Sequence, residues 1–138
     1  MTASNRIGDP ILLASPKRAR RDMKHVLFVD PDPAVCQLAN RALQFMATVD
    51  VCSDFGEARR RCLTNPPDLL ITNVRLAAHN GIHLVWLLRN EGAATRCVVY
   101  GSEVDLPLAR EVQDAGEFVV WTPRIGVPIE SLIMAELP

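Results

Sequence analysis

Lysine is missing from residues 25–138; the chain's two lysines, Lys17 and Lys24, both precede that stretch. Aromatic residues make up only 5% of the 138 positions, so the core has to be built from aliphatic side chains. No apolar run approaches the roughly 20 residues that a membrane-spanning helix needs, even around Ile11-Leu12-Leu13. The start of the chain also lacks the basic, then apolar, then small pattern of a secretory signal, and cytoplasm is the expected compartment. Cys36, Cys52, Cys62 and Cys97 form no Cys-x-x-Cys pair and stand among apolar neighbours. They read as buried, reduced thiols rather than as metal ligands or disulfides. A glycine-rich phosphate loop is absent as well. After the first apolar run stands Asp30-Pro31-Asp32-Pro33, which would repel an anion and argues against a nucleotide-binding enzyme.

What is present fits one globular domain with a basic extension. The composition is 49% hydrophobic and 22% charged, ordinary for a folded protein of this length. A net charge of −1 hides an asymmetry: residues 1–24 hold six Lys/Arg against two Asp, and residues 25–138 hold nine Arg against fourteen Asp/Glu. Residues 1–24 show no sustained period, so they are expected to form a disordered arm, with the domain at 25–138. The basic cluster Lys17-Arg18-Ala-Arg20-Arg21 has no interleaved aromatics and no neighbouring helix-turn-helix. A solvated arm is expected there rather than a nucleic-acid contact.

From His25 the pattern changes. Five short β-type runs, at about 25–30, 48–52, 68–73, 96–101 and 117–122, alternate with segments of helical period. The first helix follows Pro33 and places Val35, Leu38, Ala39, Ala42 and Leu43 on one face. The second opens at Asp54, with Glu57 at capping-box spacing, and stops before Pro66-Pro67. The third starts near Gly81 and carries Ile82, Val85, Trp86 and Leu87 or Leu88 inward. The fourth begins at Asp105 and ends at Ala115-Gly116. A short last helix is expected at about 128–136. Val26-Leu27-Phe28-Val29 and Leu69-Leu70-Ile71 are apolar on both faces, which implies a parallel sheet covered on two sides. The expected fold class is α/β: a doubly wound, five-stranded parallel sheet with helices on both faces.

In such sheets the working site lies beyond the carboxyl ends of the strands, here near Asp30, Asn73, Gly101 and Thr122. The combination of Asp30 ending the first run, Asp68-Leu-Leu-Ile-Thr-Asn73 ending the third, Gly81 opening a helix and Thr122-Pro123 ending the fifth resembles the receiver domain of two-component response regulators. That resemblance spans about residues 25–137 and implies the flavodoxin-like strand order 2-1-3-4-5. It also implies a phosphoacceptor aspartate where Asn73 stands, and a pair of adjacent acids for Mg²⁺ where Asp30 and Pro31 stand. A hydroxyl residue is implied at Gly101, with Ser102 next to it, and a lysine at Thr122. A carboxamide is neutral and non-nucleophilic, so Asn73 cannot form the acyl phosphate. Asp32 follows one position late; it reads as a helix cap, with the role of a non-standard phosphoacceptor as the alternative.

The expectation is therefore a stand-alone, degenerate receiver: no enzyme, no cofactor, and no bound Mg²⁺. It would act in two-component signalling by binding a protein partner, a histidine kinase or another signalling protein, with a homodimer left open. The alternative is a phosphorylatable receiver of a phosphorelay. The resemblance places the interaction face at about 105–136, including Asp105, Arg110, Trp121 and Arg124, although Trp121 equally suits rim packing. His79 and His83 have a spacing compatible with metal ligation, but no third ligand is evident, and solvated histidines are the simpler reading. Arg59-Arg60-Arg61 is most simply an exposed helix face.

Overall fold

The run Val26-Leu27-Phe28-Val29 is buried on both of its faces, and the rest of the molecule is arranged to achieve that. A computed structural model describes residues 24–121. The basic arm, Thr122, Arg124 and the helix expected at 128–136 therefore lie outside the described residues.

The elements follow one another as β1 (His25–Val29), α1 (Pro33–Leu43), β2 (Thr48–Cys52), α2 (Phe55–Thr64) and β3 (Leu69–Asn73). A small hairpin of β4 (Arg75–Leu76) and β5 (His79–Asn80) comes next. The chain continues through α3 (Ile82–Asn90), β6 (Arg96–Gly101), α4 (Leu106–Asp114) and β7 (Phe118–Trp121). Five strands form one parallel sheet in the order β2-β1-β3-β6-β7, which is the expected 2-1-3-4-5 winding.

Successive strand side chains point to opposite faces, and that alternation divides the core in two. Val26 and Phe28 join Leu69, Ile71, Val98 and Tyr100 under α1, which contributes Cys36, Ala39 and Leu43. Leu27 and Val29 join Leu70, Cys97 and Val99 on the other face. There they meet Ala58 and Cys62 of α2, Leu84, Val85 and Leu88 of α3, and Leu108 and Val112 of α4. All four cysteines are buried free thiols within these two layers.

Helix starts follow side-chain chemistry. Asp32, Asp54 and Asp105 each cap a helix by accepting from the backbone N–H of Ala34, Glu57 and Leu108, at 2.9, 2.9 and 3.1 Å. Glu57 does not complete the capping box; its carboxylate pairs with Arg60 at 2.6 Å and Arg61 at 2.9 Å. Within Arg59-Arg60-Arg61, Arg59 and Arg60 are exposed and Arg61 is half-buried. At the opposite end of the sheet from the strand tips, Glu117 is buried in an ion pair with Arg89 and accepts from the N–H of Cys97 at 2.7 Å.

Two inward expectations are corrected. Leu38 is 52% exposed, because α1 uses Cys36, Ala39 and Leu43 against the sheet and Leu38 falls outside that stripe. Trp86 is 41% exposed: Leu84 is buried on α3, and Trp86 rests beside His83 at a ring separation of 5.6 Å.

Gly81 locks the site-bearing loop to the sheet. Its N–H donates to the Val74 carbonyl at 2.8 Å. A Cβ there would press on the backbone carbonyl oxygen of Asn73 and lie 2.8 Å from Thr72 Oγ1. Gly81→Ala is expected to destabilise the domain by about 1–3 kcal/mol, since backbone cannot yield as a side chain would. Chemical denaturation of the two proteins checks this; unchanged stability would show that the loop relaxes freely.

Candidate functional site

Asp30 leaves the end of β1 with its backbone held, its N–H donating to the Cys52 carbonyl at 3.1 Å. Its side chain is 4% exposed, and a carboxylate at that depth needs hydrogen-bond donors. Three converge on it. The backbone N–H of Asp32 donates to Oδ1 at 2.8 Å. The Asn73 amide donates from Nδ2 to Oδ2 at 3.1 Å. The Tyr100 hydroxyl makes a short hydrogen bond to the same Oδ2.

Sheet register brings these groups together. Val29 pairs with Thr72 and Asn73 pairs with Tyr100, so the ends of β1, β3 and β6 lie side by side. Asn73 is oriented at both ends of its amide: Oδ1 accepts from the Arg75 N–H at 2.9 Å while Nδ2 faces the carboxylate. Turning the amide over would set oxygen against oxygen and N–H against N–H. Tyr100 is 3% exposed, and its ring stacks on Phe28 with centroids 5.9 Å apart.

The remaining predicted positions are placed as follows. Pro31 is exposed in the bend leading to α1. Asp32 is exposed, with its carboxylate engaged at the helix start as described. Gly101 is buried beneath Trp121: a Cβ there would come within 2.9 Å of Val74 Cγ1 and 3.0 Å of Trp121 Cζ3. A hydroxyl-bearing side chain at 101 would require those neighbours to move. Ser102 is exposed beyond the strand. Trp121 is half-buried and packs against the core, whereas Asp105 and Arg110 are exposed on α4. Thr122 and Arg124 lie outside the described residues.

Past the end of β3, the β4–β5 hairpin and the start of α4 enclose an open groove of about 330 Å³, which Asp30 does not line. Arg75 and Glu103 meet across it at 3.5 Å, both well exposed. Ala77, at the hairpin tip, holds a φ of +56°, uncommon for a residue with a side chain. His79 stacks on Phe55 with ring centroids 4.3 Å apart, and His83 touches Phe55 and Trp86 edgewise or tilted. Among the described residues no group of three or more potential metal ligands is found.

A divalent ion is what the sequence resemblance implies for this corner, and the donor set does not fit one. Magnesium takes oxygen ligands in a nearly rigid octahedron. Here one carboxylate faces inward, and the groups around it present hydrogens: an amide N–H, a hydroxyl O–H and a backbone N–H. Tyr100 is the participant that sequence reasoning missed. The available signal was the chain's sole tyrosine in an otherwise apolar strand, since a buried phenol nearly always finds a partner for its hydroxyl.

Burial, followed by the bond to Asp30, raises the Tyr100 phenol well above its ordinary value of 10.0. Burial likewise raises the Cys36 thiol, and pushes Cys52 and Cys62 to about 11 and Cys97 to about 12. Each of these groups is kept neutral in the native state, so its contribution to stability is complete below its unfolded value. That contribution is lost as pH rises past 9.0 for the thiols and past 10.0 for the phenol. Thermal melts should therefore fall steeply above pH 9, with phenolate absorbance appearing only as the protein unfolds. Phenolate in a still-folded protein near pH 10 would contradict the placement of Tyr100.

Comparison with known proteins identifies the architecture. The family described as "Response regulator receiver domain" matches residues 26–120. No curated protein matches the sequence. Among solved structures, the chemotaxis response regulator CheY4 of Vibrio cholerae superposes with a TM-score of 0.73 at 20% identity, covering 83% of this chain and 99% of its own. The signal receiver domain of a putative LuxO repressor protein from Vibrio parahaemolyticus gives 0.74 at 13% identity, covering 83% and 89%. A CheY-like receiver domain protein from Methanospirillum hungatei JF-1 gives 0.73 at 17%, covering 82% and 92%. At these identities the likeness carries the fold, and the family match carries the membership: this chain belongs to the response regulator receiver domain family of two-component signalling.

Proposed function

We propose that this domain is a pseudo-receiver, which takes part in two-component signalling through protein–protein contact and is not phosphorylated on aspartate. The observation that carries the reading is the amide of Asn73, whose nitrogen is turned into the site as a donor to Asp30. An acyl phosphate needs a carboxylate oxygen as nucleophile, and a carboxamide offers none. Phosphoryl transfer also depends on charge neutralisation and positioning around the transferred group. Residues 25–138 contain no lysine to supply an ammonium, and Gly101 has no hydroxyl and no room for one. Asp32, the rival nucleophile, is committed to capping α1.

The scaffold around this altered site is complete through β7, which supports a role for the domain's shape rather than for its chemistry. Asp105 at the start of α4 and Arg110 on it are among the described charges of the expected contact face. Val104 and Leu106 beside them are each 65% exposed, offering apolar surface to a partner such as a histidine kinase or another signalling protein.

Incubation with a small acyl-phosphate donor and excess Mg²⁺, followed by intact-protein mass measurement, tests the reading. The expected result is an unchanged mass under conditions that phosphorylate an ordinary receiver run in parallel. A stable phosphoryl adduct would overturn it, and an adduct mapped to Asp32 would establish the alternative of a phosphorylatable receiver with a displaced site.

A further inference from the structure

Asn73 explains why the nucleophile is missing, but it does not explain Tyr100. We propose that Tyr100 is a cation-disfavouring residue: its hydroxyl holds the Asp30 oxygen that faces position 73, so that restoring a carboxylate at position 73 is not enough to restore tight cation binding. The proposal rests on the reading that the domain works without a bound metal, and it assigns that property to a second, independent side chain.

The argument begins with the lone pairs. A carboxylate oxygen accepts in two directions, and on Asp30 Oδ2 the donors in place are Asn73 Nδ2 and the Tyr100 hydroxyl. Oδ1 already receives the N–H of Asp32. A cation bonded to Oδ2 has to displace one of its two donors. Asn73 is the easier to replace, because it is half-buried on the rim of the sheet. In N73D the place of Asn73 on Oδ2 is open, but the Tyr100 hydroxyl still draws on the charge of that oxygen and is not free to withdraw. Its ring is fixed in the layer beneath α1, stacked on Phe28 and packed with Ile71, Val98 and Cys36. Rotating the phenol away would strip a buried O–H of the acceptor it has among the described residues, and that loss opposes the ion's gain.

Geometry also explains why the blocking group is a tyrosine. Residue 100 faces the α1 layer, whereas the neighbouring position 101 packs on the opposite side against Trp121. From that layer, a side chain shorter than tyrosine would end in the apolar core without reaching the carboxylate. Phenylalanine fills the same space and lacks the oxygen, so Tyr100→Phe removes the block with little change in packing.

The experiment is isothermal titration of Mg²⁺ into the full chain carrying no substitution, Y100F, N73D, or N73D together with Y100F. Thermal melts of each variant verify folding. No binding is expected for the parent and for Y100F, weak binding for N73D, and binding at least about tenfold tighter for the double variant than for N73D. Equal affinities for N73D and the double variant would overturn the role of Tyr100 while leaving the metal-free reading intact. Binding by the parent chain would overturn that reading instead. Should the double variant fail to fold, the sole tyrosine supplies a second readout: the ring carbon bearing the hydroxyl gives one NMR signal. Mg²⁺ bound to N73D must shift that signal as the ion competes with the hydroxyl for Oδ2, and binding without a shift would refute the proposal.

Discussion

A carboxylate buried at the end of a sheet has to be answered, either by a cation or by hydrogen-bond donors, and the choice made at Asp30 organises this protein. In a receiver that binds a divalent ion, the neighbouring groups are acids and the metal balances them. Here the neighbours are donors. Asn73, Tyr100 and the Asp32 N–H together supply three hydrogen bonds to one side chain. A set of this kind is stable without a ligand, because each buried polar atom already has its partner.

The same economy appears in the packing around the site. Gly81 lets the loop after β3 close against the Asn73 carbonyl, and Gly101 lets Trp121 lie over the end of β6. Trp121 thereby lies over position 101, where the sequence resemblance implies a hydroxyl residue. The scaffold that holds these residues is governed by strand alternation: Phe28 and Tyr100 belong to the α1 layer, Val29 and Val99 to the layer of α2, α3 and α4. The side chains of Asp30 and Asn73 at the strand tips lie outside the two cores, and on the proposed reading the family fold persists with an altered corner.

Much of this was legible in the residues. Runs apolar on both faces gave the parallel sheet, and Asp54 and Asp105 marked helix starts that the structure places within a residue. The strand order came from the resemblance rather than from periodicity, since pattern alone does not say which strands are neighbours. What stayed hidden depended on tertiary reach. Tyr100 is two layers of inference away: its facing follows from alternation, but its contact with Asp30 follows from side-chain length and register. Leu38 and Trp86 fit an apolar helical face, yet only the packing shows that neither is covered. The β4–β5 hairpin is two residues per strand, too short to leave a periodic trace.

The most direct measurement is a crystal structure of the domain grown in a large excess of Mg²⁺. The account predicts Asp30 Oδ2 hydrogen-bonded to both the Tyr100 hydroxyl and Asn73 Nδ2, with no ion in contact with that carboxylate. An octahedral cation coordinated by Asp30, with the Tyr100 hydroxyl turned aside, would contradict it.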